Sequence, residues 1–206
     1  MREEELSAKS KRRRVITTKR DETHPVALNI LNRDFQAEEP NKKWVTDIPS
    51  IPTKQGWLYL AVILDLYSRM VVGWSMSGHC DEDLVEHALE HALARRRPNA
   101  GLLHHSDRGS QYTSYAYQAC LQKYEIQPSM SRKGNCWDNA VMESFFGTLK
   151  DEYVGETFYS SHNEARSEIF IYIETYYNRV RRHSTREYVS PLQYENTGEK
   201  CTLQNV

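Results

Sequence analysis

The sequence predicts a mixed α/β sheet with helices on both faces. Three observations point there. Trp57–Leu66 is almost continuously apolar, as expected of a strand buried on both sides. Further along, short strand-like runs alternate with stretches whose apolar residues recur at helical spacing. At 206 residues, the chain is long enough for one domain with a real core.

The elements follow in order. Residues 1–38 are polar, charged and weakly periodic, and read as a basic tail or linker; 39–200 read as the core with its C-terminal helix, and 201–206 as a short tail. Trp44–Ile48 is a short strand; Pro49, Pro52 and Gly56 mark a turn before Trp57–Leu66. The turn Tyr67-Ser68-Arg69 leads to an antiparallel partner over Met70–Met76. Asp81 and Asp83 open a helix with Leu84, Val85, Ala88, Leu89 and Ala92 on its apolar face, closed by Arg95–Arg97 and Pro98. Gly101–His105 is a strand, and Tyr117, Cys120, Leu121 and Tyr124 follow at helical spacing before a strand near Glu125–Ser129. Gly134 and Asn135 introduce a helix from Trp137 to about Tyr153. A last helix opens on the capping box Ser161-His162-Asn163-Glu164 and carries Ala165, Ile169, Tyr172, Ile173 and Tyr176 on one face.

Composition excludes several classes. The four cysteines are widely spread with no CxxC or CxH pairing, which fits reduced thiols and not a zinc finger. No apolar run approaches the eighteen residues of a membrane span, and no hydrophobic export segment opens the chain, so the expectation is a soluble, intracellular protein. Net charge is only −1, but basic residues cluster at Lys9–Arg20, at Arg95–Arg97 and at Arg179–Arg186. Such clusters are ordinarily solvated surface; around an acidic site they suit a polyanionic partner.

Three carboxylates stand out: Asp47, Asp107 and Glu143, with thirty-five residues between the last two. Asp47 ends a strand-type run, where an acid is uncommon unless paired or metal-bound. Asp107 follows a short strand and precedes a glycine-containing loop, where ligands of α/β sheets commonly lie. Gathered together, the three would repel one another and raise each other's pKa, a conflict that Mg²⁺ resolves. In the helix from Trp137, residues Trp137, Val141, Phe145 and Leu149 recur every four and should face the core. Glu143 then points roughly opposite Phe145, and Lys150 returns to within about 20° of it. The pair reads either as an active-site edge or as an ordinary solvent-facing Glu/Lys pair.

Rival groups read differently. Asp65 suits a pairing with Arg69 or a cap on its turn. Asp138 suits the N-terminus of its helix. His104 and His105 point to opposite faces of a strand, so at most one can face the site, and a structural role fits both better than metal binding. Ser106 lacks any nucleophile-elbow pattern.

Several blocks together resemble the catalytic core of the DDE insertion-sequence transposases related to retroviral integrases, most closely the second-frame (OrfB) product of insertion-sequence family three. They are Trp44–Ile48, Gly56–Arg69, His104–Tyr112, Met130–Ala140 continuing through Glu143–Phe146, and Tyr177-Asn178-Arg179 with Arg182-His183-Ser184 and Ser190-Pro191. The match runs in order over roughly residues 24 to 196. It departs at Pro49-Ser50, where the family usually shows Thr-Tyr, and the family's N-terminal helix-turn-helix and zipper are missing ahead of the match.

The resemblance implies an RNase H-like fold with a five-stranded mixed sheet. It implies Asp47, Asp107 and Glu143 as a catalytic, metal-binding triad for two Mg²⁺ ions, with Mn²⁺ as substitute, about 3.5–4 Å apart. It places Lys150 on transposon-end DNA, and Arg132, Lys133, Arg179, Arg181 and Arg182 are the further expected DNA contacts. The implied partners are double-stranded DNA, both transposon ends and target, and a homo-oligomer or co-assembly with full-length transposase; no membrane is involved. The implied chemistry is hydrolysis at a transposon end, then attack of the freed 3′-OH on a second phosphodiester. Two other readings stay open: a nuclease that only hydrolyses, and a truncated or regulatory fragment that co-assembles with the full transposase.

Overall fold

The computed structural model describes residues 26–154 and 159–203. The basic cluster Lys9–Arg20 lies outside the described residues. The sheet holds six strands: β1 (Lys43–Asp47), β2 (Ser50–Thr53), β3 (Gly56–Asp65), β4 (Val71–Ser77), β5 (Leu103–Ser106) and β6 (Gln127–Met130). β3 pairs antiparallel with β4 along one edge and with β1 and β2 along the other. β1 pairs parallel with β5, and β5 with β6.

The sequence places a turn where β2 forms. Pro49 cannot donate a backbone N–H and interrupts the strand there, but the register runs on: Asp47 faces Val62 and Ser50 faces Tyr59. Across the break, Leu60 N–H still donates to the Pro49 carbonyl at 3.1 Å. Counted as one interrupted strand, β1–β2 gives the five strands expected.

Helices cover both faces. On one lie α1 (Glu82–Arg96), the short α2 (Ser110–Thr113) and α3 (Tyr115–Lys123), packed with Trp44, Ala61, Ile63 and Val72. On the other lie α4 (Ala140–Leu149) and α5 (His162–Ile171), packed with Val45, Val62, Leu64 and Val71. Alternate residues of β3 thus enter opposite cores, which is why its sequence is apolar throughout. α1 starts at Asp81, whose side chain accepts from Leu84 N–H, and ends at Arg97 in the left-handed region. Gly73 of β4 lies so close under α1 that a Cβ there would meet the Ala88 carbonyl and the Ala92 Cβ. A sixth helix, α6 (Pro191–Leu203), follows where the sequence reading placed none.

Two apolar stripes fall one position away from their sequence-based placement. Trp137 is 67% exposed. Residues Cys136–Asn139 form a 3₁₀ turn at about three residues per turn, and the α-helix begins only at Ala140, so Met142 and Phe146 join Phe145 and Leu149 inside. Past α5 the helix widens into π geometry over Tyr172–Tyr177, with Asn178 N–H donating to the Ile173 carbonyl. A five-residue turn carries the buried face from Tyr172 to Tyr177, leaving Tyr176 40% exposed.

Within the region read as tail or linker, Val26–Glu38 packs as a strap. Leu31 is buried, and the N–H groups of Ile30 and Leu31 donate to Ser129 Oγ. Asn29 and Arg33 reach the Asp138 carboxylate ahead of α4. The strap therefore ties β6 to the turn that precedes α4.

Candidate active site

Asp47 is the last residue of β1, and Asp107 follows the last residue of β5. The parallel register pairs Lys43 with Leu103, Trp44 with His104 and Val45 with His105. Carried on, it sets Asp47 level with Asp107 on strands about 4.8 Å apart. Asp47 shares a face with Val45, the face that α4 covers. Glu143 projects from the first turn of α4, exposed to solvent. Four buried side chains of α4 hold it down, each worth about 1.5–3 kcal/mol in removal from water.

Each aspartate is tied to its own loop. Asp47 Oδ1 accepts from Ile48 N–H at 2.8 Å, and Asp107 Oδ1 accepts from Gly109 N–H at 2.8 Å. Arg108 Nε donates to the Ser131 carbonyl at 2.7 Å, fastening the Asp107 loop to the end of β6. Burial, then repulsion from Asp107 and more weakly from Glu143, pushes the Asp47 carboxyl up to about 7. Burial also raises Asp107. The two aspartates therefore sit in a poorly solvated niche, with Glu143 within electrostatic reach at its rim.

Among the described residues, no three His, Cys, Asp or Glu side chains are grouped closely enough to hold a metal ion as they stand. The structure brings Asp47 and Asp107 side by side and leaves Glu143 outside, free to swing on an exposed side chain. The donor chemistry fits a hard divalent cation: all three groups are carboxylates, and their mutual repulsion is what a cation would relieve.

Several neighbours escaped the sequence reading. Asn139 Nδ2 donates to the Thr46 carbonyl at 3.3 Å and helps hold Asp47 ionised, while its Oδ1 is buried without a hydrogen-bond partner. Its position four residues before Glu143, one helical turn, was the available signal. Tyr112 Oη lies 3.1 Å from Thr46 Oγ1, and Gln111 Nε2 donates to the Cys80 carbonyl and thiol beside the aspartates. Their signal was weak: none carries charge. Cys80 and Cys120 are free thiols.

The rival groups are structural. Asp65 caps its turn by accepting from Tyr67 N–H and also accepts from Asn41 N–H; its ionic neighbour is Arg96 at 3.5 Å, not Arg69 as one reading had it. Asp138 makes no helix cap. Its buried carboxylate accepts from Arg132 N–H, Arg132 Nε and Nη2, Arg33 Nε and Asn29 Nδ2. His104 bonds Tyr117 Oη at 2.7 Å, and His105 bridges Ser129 and Ser131; burial holds them at about 3 and about 4, so both are neutral.

The basic groups divide. Arg95 and Arg96 are spent on Glu174 and Glu195. Arg132 grips Asp138, Arg181 grips Glu152, and Arg179 Nε donates to the Glu174 carbonyl. Lys133, Lys150 and Arg182 are exposed and make no ion pair among the described residues.

Two family models described as integrase core domain match residues 37–136 and 124–191. The transposase for insertion sequence element IS904 of Lactococcus lactis is 50% identical over 167 residues, covering 81% of this chain and 66% of that protein. Transposase InsF for insertion sequence IS3A of Escherichia coli is 45% identical over 196 residues, covering 95% of this chain and 68% of that protein. This chain belongs to the integrase-core transposases of insertion-sequence family three. The transposase core also resembles the HTLV-2 integrase catalytic core domain solved with magnesium, with a TM-score of 0.59 at 17% identity over 77% of this chain and 99% of that one. The catalytic core domain of BIV integrase gives 0.56 at 17% identity, over 79% and 99%. These likenesses carry the RNase H-like fold. The chain spans about two thirds of the length of the curated relatives it matches. Among the described residues, no helix is long and apolar enough to cross a membrane.

Proposed function

We propose that this transposase core cuts and joins DNA strands in two metal-dependent steps, with Asp47, Asp107 and Glu143 as its catalytic carboxylates. The observation that carries this reading is the β1–β5 register, which sets Asp47 level with Asp107, with Glu143 of α4 within electrostatic reach at the rim. The three carboxylates would hold two Mg²⁺ ions, whose chemistry is to polarise the phosphodiester and to lower the pKa of the attacking hydroxyl. The chain's own residues do the rest. Ile48 and Gly109 N–H groups fix the two aspartates, and Asn139 braces the end of β1. Glu143 closes onto the niche from α4. Lys150 directly follows α4, where the helix passes into π geometry over Lys150–Val154, and meets the phosphates of the transposon end. Lys133 and Arg182 extend that contact, whereas Arg132, Arg179 and Arg181 contribute to DNA binding only through what remains exposed of their side chains. The partners are then transposon-end and target DNA, in a multimer assembled on DNA, in the bacterial cytoplasm.

Mg²⁺- or Mn²⁺-dependent rejoining of a branched DNA that mimics the strand-transfer product tests this. Wild type should rejoin strands and folded Asp107→Asn should not, with circular dichroism confirming both folds. Equal activity in the two would refute the assignment. Cleavage without joining, with a 3′-OH acceptor supplied, would leave the hydrolysis-only nuclease.

A further inference from the structure

We propose that a cavity on the flank of α4 away from Glu143 binds a phosphate group of a nucleic-acid strand. The cavity is about 430 Å³, within the range of about 300–1,000 Å³ usual for ligand pockets. Val141, Ser144 and Thr148 line it from α4. Val141 and Thr148 lie about 140–160° around the helix from Glu143, so the cavity is separate from the carboxylate niche. The opposite wall is Arg181 to Thr185 with Tyr188, and Arg69 lies at its edge.

The lining is built for an anion. Arg69, Arg181 and Arg182 bring three guanidinium groups to one cavity, and among the described residues the carboxylate bonded to any of them is Glu152, on Arg181. Arg69 Nη2 donates to the Phe35 carbonyl, but its Nη1 is buried with no hydrogen-bond partner. A buried guanidinium N–H left unpaired is costly, and a turn of the Arg69 side chain would offer it to a phosphate oxygen in the cavity. Burial, then the nearby Arg186, lowers Arg69 to about 10, and burial, then Arg181 and Arg69, lowers His183 to about 4. Asp65 acts on Arg69 in the opposite sense from behind. The hydroxyls of Ser144, Thr148 and Thr185 supply neutral donors, and the exposed Tyr188 offers aromatic surface to a sugar or base.

The backbone around the cavity is strained. Arg69 has φ of 67°, and Glu187 and Tyr188 are consecutive left-handed residues, none of them glycine. Such conformations are strained and concentrate at ligand clamps. A strand leaving the niche over the crest of α4 would reach the cavity after crossing a helix about 10 Å wide. The pocket stands on its own lining; only the choice of a DNA strand as the source of the phosphate rests on the transposase reading.

Calorimetric titration of the full chain with a 5′-phosphorylated tetrathymidylate, in EDTA, tests it. Thr148→Leu fills the cavity without altering charge, and leucine suits a helix at least as well as threonine. Wild type should bind, Thr148→Leu should bind at least tenfold more weakly, Arg182→Gln several-fold more weakly, and inorganic phosphate should displace the oligonucleotide. Equal binding by wild type and Thr148→Leu overturns the proposal. So does a protein that binds inorganic phosphate but not the oligonucleotide, which would make this a free-anion pocket. Because no metal or catalysis is needed, failure of strand joining in the branched-DNA assay leaves this readout intact.

Discussion

Replacing Asp47 with asparagine should stabilise the metal-free protein while abolishing strand joining. In the folded chain the Asp47 carboxyl titrates near 7 instead of its ordinary 3.8, chiefly through burial and through Asp107. A raised folded pKa means stability that is fully present below the unfolded value and is lost as pH rises through about 7. At about 1.4 kcal/mol per pKa step, the gap amounts to about 4 kcal/mol at pH 8, an upper bound once water enters the niche. For a domain of this length, each kcal/mol moves Tm by about 2–4 °C. Asparagine keeps an oxygen for the Ile48 N–H and carries no charge. Thermal melts in EDTA should therefore show Asp47→Asn above wild type by up to about 8–16 °C at pH 8, and by less than half of that at pH 5, a little above the unfolded value. Added Mg²⁺ should raise wild type and leave the variant unmoved. A variant less stable than wild type at pH 8, or an equal gap at both pH values, would refute the argument that Asp47 is charged at a cost.

Two further outcomes follow from the same geometry. Asp138→Ala leaves Arg132, Arg33 and Asn29 without their shared acceptor, and urea denaturation should show a loss of about 3 kcal/mol, the lower end for breaking a buried ion pair because Arg132 and Arg33 reach solvent; an unchanged midpoint would mean the strap does not secure the turn before α4. Lys150→Ala should weaken binding to duplex DNA across sequences and lower the log–log salt slope by about 1, measured by fluorescence anisotropy; an unchanged slope would remove Lys150 from the DNA interface.

Much of the fold was legible because its signals are local. The apolar run Trp57–Leu66 needs no partner to be recognised as a strand buried on both faces, and Asp81 and Ser161 mark helix starts through hydrogen bonds to residues three positions away. The misplaced stripes failed for one reason: both depend on helix pitch, and neither the 3₁₀ turn at Cys136–Asn139 nor the π turn at Tyr172–Tyr177 is written in residue type. Likewise Pro49 announces an interruption, but only pairing with the long β3 makes two short strands behave as one.

The same division runs through the site. Sequence by itself determined which carboxylates to consider, because Asp47 and Asp107 stand at strand ends where an unpaired acid is costly, and Glu143 stands on an amphipathic helix. Tertiary structure alone decided what each charge faces. It set Asp47 level with Asp107 through a parallel register across fifty-five intervening residues of chain. It gave Asp138 to Arg132, and Arg96 to Glu195, removing both arginines from the list of free cations. It also left Arg69 Nη1 buried and unpaired beside a cavity. Charge pairing and desolvation are properties of distance and burial, and those exist only once the chain has folded.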